Sequence, residues 1–299
     1  MRCIFCRNVR LHDIRLTDEH SIPLALGGQS VIKNATCQSC QILTSKIEAQ
    51  VLRGMMHAFR FKAGIKSRSR RPPATFPLFS VNGVEGEKIE VPSSDYPSFL
   101  ALPRFRDYIH EDKYCHNTGD LPWVIVDQMA VERVLKKYEI SSFASMQLNV
   151  RAFGRMIAKI AHCLAIEYLG RKFTPYLYKA IASEHNDEYR KFIRSIDGSK
   201  PREITEKISH SWNFNIGEVN GLQILRCDLN MFASYGAPIY QVIVGEIGDF
   251  YGLPNLDIDF QLSSPPHQTD ALRIELGIPG VLENAQDIRR AVDGILSIS

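Results

Sequence analysis

Two closely spaced pairs of cysteines frame the N-terminal part of this 299-residue chain. Cys3 and Cys6 form the first pair, and Cys37 and Cys40 form the second. A spacing of two residues lets one turn of backbone present both sulfurs to the same ion, and four thiolates are the ligand set of a closed tetrahedral zinc site. We therefore predict a structural Zn²⁺ held by these four cysteines. The alternative, four ordinary buried cysteines, leaves the repeated spacing unexplained.

The segment between the cysteine pairs contains residues suited to hydrolysis of a phosphodiester bond. This reaction needs a base that makes water nucleophilic and a cation that stabilises the charge developing on the phosphate. An imidazole can take the proton from water, and carboxylate oxygens are the ligands that Mg²⁺ prefers. Glu19 and His20, adjacent in the sequence, supply both groups. Neighbouring residues of a strand point to opposite faces, so a twisted end or a bulge is needed for both to approach one phosphate.

The order of these motifs resembles that of the HNH endonucleases, in their zinc-stapled branch. Over residues 1 to about 60 the chain has a CxxC pair, an acidic residue before His20, a Pro, a Gly-Gly pair, Asn34 and a second CxxC pair. The resemblance implies a ββα-metal fold, treble-clef-like, in which two strands and a helix hold one divalent ion. It implies that His20 activates water, that Glu19 is a catalytic residue ligating Mg²⁺ or Mn²⁺, and that the Asn34 side chain braces the loop carrying His20.

The residue after the last zinc cysteine departs from the family pattern. In the family it is usually Asn or His and completes the metal site, whereas this chain has Gln41. Gln has the same carbonyl oxygen as Asn on a stem one methylene longer, so Gln41 is a candidate second ligand of the catalytic ion. Glu48, further along the same predicted helix, is a fallback ligand, and Asp18 could replace Glu19.

The charge of the chain is unevenly distributed. Residues 1–71 have 13 Lys and Arg against 4 Asp and Glu, a net charge of +9, whereas the remainder carries −6 within the overall +3. A basic front of this kind suits a polyanionic partner. Seven basic residues with no acidic residue between them are the candidates for phosphate contacts: Arg53, Arg60, Lys62, Lys66, Arg68, Arg70 and Arg71. The alternative is a solvated helix end followed by a linker.

Hydrophobic periodicity indicates which elements position these residues. A short strand over 15–17 leads into the Glu-His pair. A helix is predicted from Gln38, because apolar residues recur every four positions along one face as far as Phe59. Gly64 and the proline pair at 72–73 are expected to end it.

A boundary near residue 75 is predicted to separate an HNH unit at 1–75 from a larger unit at 76–299. The larger unit is predicted to contain helices at 127–138, 145–170, 175–196 and 284–296 and strands at 212–216, 222–232 and 239–247. The last two strands are expected to form an antiparallel hairpin. The predicted fold class of the chain is therefore α+β.

The resemblance also implies a substrate, which is DNA, with double-stranded DNA favoured. One ββα site cuts one strand, so a double-strand break would require a homodimer. By analogy with nucleases of restriction and anti-phage defence, the larger unit is interpreted as a sensing or dimerisation unit. The competing hypothesis is a non-catalytic zinc module that binds nucleic acid or protein, in which Glu19 and His20 are incidental.

Other classes of protein are disfavoured by the sequence. No apolar run approaches the roughly 18 residues that a membrane span needs, and the first residues do not have the pattern of a signal peptide. We therefore expect a cytoplasmic protein with no membrane partner. A redox role for the cysteine pairs is disfavoured because no βαβ pattern surrounds either of them.

Overall fold

The computed structural model describes residues 2–7, 15–65, 73–80, 88–105, 122–140, 143–144, 148–182, 187–198, 210–219, 221–248 and 274–276. Over these residues the fold is α+β with mostly antiparallel pairing, as predicted. The helices are α1 (Gln38–Gln50), α2 (His57–Lys62), α3 (Gln128–Lys137), α4 (Val150–Leu169) and α5 (Tyr178–Ala182). The predicted helix at 284–296 lies outside the described residues.

The strands fall into four sheets. A hairpin contains β1 (Thr17–His20) and β2 (Val31–Thr36), and the order β4-β3-β7 joins Lys88–Pro92, Thr75–Ser80 and Phe143–Ala144. A second two-stranded sheet pairs β5 (Phe99–Leu102) with β6 (Trp123–Val126). The largest sheet has the order β13-β10-β11-β12-β8, namely Ile274–Leu276, Ser211–Val219, Leu222–Asn230, Ile239–Ile247 and Thr174–Pro175, with β9 (Ile193–Ile196) also paired to β12.

The N-terminal residues form the predicted ββα arrangement. β1 and β2 pair antiparallel, with His20 opposite Val31, and α1 begins directly after Cys37. The loop between the strands turns at Gly27, whose φ is +91°, which confirms the predicted Gly-Gly turn. A Cβ atom on Gly28 would lie 2.0 Å from the carbonyl oxygen of Ile22, so the two arms of this loop approach as closely as glycine alone permits.

The helix predicted to run from Gln38 past Phe59 is interrupted. A π-helical turn, Val51–Met55, separates α1 from α2, and Gly54 has non-helical dihedral angles of φ −92° and ψ −114°. The predicted apolar face, from Ile47 to Phe59, is nevertheless buried on both sides of the bend. The prediction of the buried face is therefore confirmed, and the prediction of one continuous helix is wrong because glycine permits the kink.

In the larger unit the predicted strands and two predicted helices form, and one predicted helix is wrong. The hairpin of β11 and β12 forms as expected, and β10 is the additional strand expected from 212–216. The helix predicted over 175–196 is wrong: α5 is short, a 3₁₀ turn covers Glu188–Lys191, and the last residues form β9. Pairing of β9 with β12 buries Ile193, so tertiary pairing overrides the local helical pattern there.

Helix α4 lies at the centre of the molecule. It begins after Asn149, whose side chain accepts a hydrogen bond from the Ala152 N–H, and ends at Gly170. Its residues 152–165 are all buried, as expected of a helix that is covered on every side. A single apolar cluster includes α4, the cysteine pairs, α1 and the large sheet, so residues from both sides of position 75 share one core. None of the helices in the described part of the chain has the length and apolar character needed to cross a bilayer.

Candidate active site and metal centre

Four sulfur atoms converge where residues 3–6 meet the N-terminus of α1. Cys3 and Cys6 lie on a turn in which the Arg7 N–H donates to the Cys3 carbonyl oxygen, and Cys37 and Cys40 lie at the start of α1. All four Sγ atoms lie within 4.8 Å of one another, and the Cys6–Cys37 separation is 3.8 Å. A tetrahedral site with Zn–S bonds of about 2.3 Å needs sulfurs about 3.8 Å apart. The four cysteines could therefore hold a zinc ion, as predicted.

The surrounding polypeptide favours a thiolate at Cys3. The Cys40 thiol donates to the sulfur of Cys3 and the N–H groups of Cys37, Cys6 and Phe5 add to the effect, whereas burial opposes it; the pKa of Cys3 is lowered to about 4. The same hydrogen bond raises the pKa of Cys40, so without a cation the cluster favours a thiolate at Cys3 beside a thiol at Cys40. A metal ion that ligates both sulfurs would replace the Cys40 proton. Across the described residues, no other group of three or more His, Cys, Asp or Glu side chains converges in this way.

His20 ends β1 with a fixed backbone. Its carbonyl oxygen accepts a hydrogen bond from Lys159 Nζ at 2.5 Å, and the next residue, Ser21, donates its N–H to the carbonyl oxygen of Ser30 at 3.3 Å. The side chain is half-buried, and its Nδ1 atom is buried without a hydrogen-bond partner among the described residues. The backbone of His20 is therefore fixed by hydrogen bonds. The Nδ1 atom of its imidazole makes no hydrogen bond to the described residues.

Glu19 faces away from solvent and is paired with a lysine of α4. Its Oε1 atom lies 2.7 Å from Lys159 Nζ, and the two side chains are 9% and 1% exposed. The other carboxylate oxygen, Oε2, accepts hydrogen bonds from the hydroxyls of Thr36 and Thr44 at 3.3 and 3.5 Å. Both oxygens of Glu19 therefore have partners within the protein.

Lys159 is shared between two carboxylates. Its Nζ atom also lies 3.0 Å from Glu48 Oε1. Burial opposes the charge of Lys159, but Cys163 and the carboxylates of Glu48 and Glu19 outweigh this effect, so the pKa of Lys159 lies above its usual value. Lys159 is therefore a buried ammonium ion at the carboxylate predicted to ligate a divalent metal.

The catalytic Mg²⁺ or Mn²⁺ expected from the sequence does not fit these residues. Glu19 is bound to Lys159 and two threonines, and Glu48, the fallback ligand, is bound to the same lysine. Gln41 lies in the first turn of α1 and is half-buried, and Asp18, the alternative to Glu19, is exposed and paired with Lys33. Glu19 could ligate a divalent ion only by giving up its contact with Lys159, and the ligand role of Gln41 stays a prediction.

Asn34 and Asp18 occupy a bulge of the hairpin. The register of β1 and β2 shifts between Thr17 and Glu19, as the need for a bulge beside Glu19 and His20 suggested. Asn34, at φ +48°, is exposed in this bulge, and its backbone N–H, not its side chain, donates to Asp18 Oδ1 at 3.1 Å. Among the described residues the Asn34 side chain makes no hydrogen bond to the loop carrying His20, so its bracing role stays a prediction. Asp18 is exposed and paired with Lys33 at 2.7 Å; the hydrogen bond from Lys33 and that from the Asn34 N–H lower its pKa.

The predicted phosphate-binding residues separate into different environments. Arg53 is exposed, as expected, and Lys62 is half-buried with its Nζ atom 2.9 Å from the carbonyl oxygen of Ser94. Arg60 contradicts the expectation, because it is 5% exposed and donates to the backbone carbonyl oxygens of Ala25 and Leu52. The other four candidates lie outside the described residues: Lys66, Arg68, Arg70 and Arg71.

Sequence reasoning missed the part that α4 plays in this site. The Glu167 carboxylate accepts hydrogen bonds from the hydroxyls of both Ser21 and Ser30, the residues that begin and end the loop after His20. Lys159, His162 and Glu167 recur at helical spacing on the face of α4 turned toward the N-terminal unit. The signal that could have found them is the presence of charged residues in an otherwise apolar helix, since a buried charge must have a partner.

Comparison with known proteins gives a family match for the N-terminal residues. Residues 3–55 match the model of a family described as HNH endonuclease. The match includes the four cysteines, Glu19, His20, Asn34 and Gln41, but covers less than a fifth of the 299 residues. No curated protein and no solved structure matches the chain. The N-terminal segment is therefore of the HNH endonuclease type, whereas α4 lies outside the matched residues.

Proposed function

We propose that this protein is an HNH-type endonuclease that hydrolyses phosphodiester bonds of nucleic acid, with double-stranded DNA as its preferred substrate. The position of His20 carries the proposal. It lies at the end of β1 in a zinc-stapled ββα unit, within the residues that match the HNH endonuclease family, and its imidazole has no structural partner at Nδ1 among the described residues. The basic N-terminal part of the chain, with Arg53 exposed, suits a phosphate backbone.

In this proposal His20 acts as the general base. Its imidazole takes a proton from water, the water oxygen attacks phosphorus, and the bond from phosphorus to the 3′ oxygen breaks, with the departing 3′ oxygen taking a proton from a solvent water molecule. The products are a 3′-hydroxyl and a 5′-phosphate. Lys159 and Glu167 act as positioning residues, because they hold the His20 carbonyl oxygen and the serines that bound the following loop.

A supercoiled-plasmid cleavage assay tests the proposal. The native chain, His20→Ala and His57→Ala are compared at equal zinc content; His57 is a half-buried histidine of α2 in the same N-terminal part. We expect the native protein and His57→Ala to nick the plasmid, and His20→Ala to be slower by about 100-fold or more, the usual contribution of a general base. Cleavage that survives His20→Ala contradicts the proposed role.

A second candidate function is a non-catalytic zinc module that binds nucleic acid. The Lys159–Glu19 pair and the presence of Gln41 after the last cysteine favour it, since neither is suited to a catalytic metal. Salt-sensitive DNA binding with no cleavage by the native protein would support this candidate against the nuclease.

Cleavage of both strands would require two copies of the site. We propose that such cleavage, if it is the native reaction, is performed by a homodimer, because one ββα unit acts on one strand. Light scattering of the protein bound to a short duplex checks this: a strict monomer would restrict the enzyme to nicking.

A further inference from the structure

We propose that Lys159 is the resident cation of the nuclease centre and that Glu19, bound to it, does not ligate a divalent ion. The inference rests on the proposed function, because it concerns the same site. The positive charge beside Glu19 then comes from Lys159 of α4, which lies outside the residues that match the family, and not from a metal ion.

Oxygens surround the ammonium group of Lys159, and its contact with Glu48 is an ion pair without hydrogen-bond geometry. Three oxygens lie within 3.0 Å of Nζ: Glu19 Oε1 at 2.7 Å, the His20 carbonyl oxygen at 2.5 Å and Glu48 Oε1 at 3.0 Å. A lysine ammonium has three N–H donors. One side chain therefore meets both the acidic residue and the histidine of the predicted catalytic pair, and a single cation joins β1, α1 and α4.

Burial makes this arrangement permanent in the folded protein. The Lys159 side chain is 1% exposed, and the helix on which it lies is buried over residues 152–165. A buried lysine cannot leave its carboxylates for solvent while α4 remains packed, and an unpaired buried charge is strongly unfavourable. Glu19 and Lys159 thus hold each other in place.

A divalent ion at Glu19 would compete directly with this ammonium. Magnesium–oxygen bonds are about 2.1 Å long. An ion bound to Oε1 would therefore lie at most about 4.8 Å from Nζ, given the Nζ–Oε1 distance of 2.7 Å. The other oxygen faces Thr36 and Thr44, which are 0% and 1% exposed. Two cations at one buried carboxylate repel each other, so an ion at Oε1 would have to displace the Lys159 ammonium from that oxygen.

Binding of Mn²⁺ to the full zinc-loaded chain tests the assignment without relying on cleavage. Free Mn²⁺ is measured by electron paramagnetic resonance during titration of the native protein, Glu19→Gln, Lys159→Met and the double variant, with zinc content and circular dichroism checked for each. We expect native protein and Glu19→Gln to bind Mn²⁺ equally. Lys159→Met should gain a site at least tenfold tighter, which the double variant loses.

Two results would overturn the assignment. One is native protein with a Mn²⁺ site that weakens tenfold or more in Glu19→Gln. The other is folded Lys159→Met that gains no site. Should Lys159→Met fail to fold, the comparison of native protein with Glu19→Gln decides alone. The amide oxygen of Glu19→Gln can still accept a hydrogen bond from Lys159, and its NH₂ group can donate to the hydroxyl oxygens of Thr36 and Thr44.

Plasmid cleavage by the same samples separates this inference from the proposed function. Absence of cleavage by all of them would contradict the nuclease, while the Mn²⁺ titration would still decide what Lys159 does. Cleavage by native protein, abolished by Glu19→Gln together with its Mn²⁺ site, would support the nuclease and overturn the assignment of Lys159.

Discussion

The Nε2 atom of His162 lies 2.9 Å from the carbonyl oxygen of Ile4, so an imidazole of α4 is hydrogen bonded inside the turn that carries the first two zinc cysteines. The same ring stacks on Phe5 with a centroid separation of 5.4 Å. Because Ile4 follows Cys3 directly, the cysteine turn and α4 support each other. The stability of the shared core is thereby linked to the cysteine cluster.

Removal of one of the four cysteines is expected to destabilise the shared apolar core, and not the cysteine cluster alone. Cys40→Ala should lose bound zinc and lower the melting temperature strongly, because a structural zinc supplies folding free energy. Cys227→Ala is the control, since it removes a fully buried thiol on β11 away from the cluster. We expect the control to keep one zinc per chain and lose only about 1 kcal/mol. Zinc content and thermal unfolding measure both; full zinc in Cys40→Ala contradicts the four-cysteine site.

The free energy of unfolding is expected to decrease as the pH falls from about 6.5 to about 4. Burial lowers the pKa of His162 and of His210 to about 4 in the folded chain. The unfolded chain binds protons at these residues near pH 6.5, so it binds more protons than the folded chain in this interval. Each histidine then lowers stability by up to about 1.4 kcal/mol per pH unit as acid is added.

Substitution of His210 distinguishes the effect of histidine protonation on stability from that of protonating the predicted zinc ligands. Its Nε2 donates to the Leu26 carbonyl oxygen at 2.8 Å, and its Nδ1 accepts the Phe232 N–H at 3.0 Å, so the folded state needs the neutral ring. Urea unfolding of native protein and His210→Gln at pH 7, 6 and 5 should show a shallower pH dependence for the variant. Equal slopes would contradict the assigned role.

Gly28→Ala is expected to disturb the loop that follows His20. The added Cβ atom would lie 2.0 Å from the Ile22 carbonyl oxygen, so the backbone must move at a cost of about 1–3 kcal/mol. Gly248→Ala is a suitable control, because its Cβ would meet no described atom within 4 Å. Thermal unfolding compares the two variants, and cleavage rates report on His20. Equal stability of both variants would show that the loop has room for a side chain at this position.

Arg60 and Arg53 are expected to respond differently to substitution. Arg60→Ala should lower the melting temperature, because it leaves the carbonyl oxygens of Ala25 and Leu52 without a donor. Arg53→Ala should leave stability unchanged and weaken DNA binding, with the dependence of log affinity on log salt reduced by about one. Fluorescence anisotropy over a salt series measures this slope. An unaltered slope for Arg53→Ala would remove that residue from the DNA contacts.

Local motifs of the site could be predicted from the sequence because their determinants lie close together. Pairs of cysteines at a spacing of two residues indicate turns that could hold a metal ion, and the Gly-Gly pair indicates the turn after β1. The hairpin of β11 and β12 followed from alternation and turn residues in the same way. Each of these features is decided by neighbours along the chain.

The environment of Glu19 could not be predicted because its partner is distant in the sequence. Lys159 is recognisable as a charge in an apolar helix, but no local pattern says which carboxylate it meets. The burial of Arg60, a predicted phosphate contact, could not be foreseen for a related reason. The bend at Gly54 breaks the register of a straight helix, and α2 therefore places this arginine against Ala25 and Leu52.

The contact between His20 and Lys159 also sets an order of events during synthesis, because the two residues are 139 positions apart. A ribosome adds about 5–20 residues per second, so roughly 7–30 seconds separate the emergence of the histidine from that of its lysine. In that interval the nascent N-terminal unit has no ammonium beside Glu19 and no helix beneath its cysteine turn. The contact between His20 and Lys159 therefore forms only after more than half of the polypeptide has been made, and a chain terminated before Lys159 lacks it.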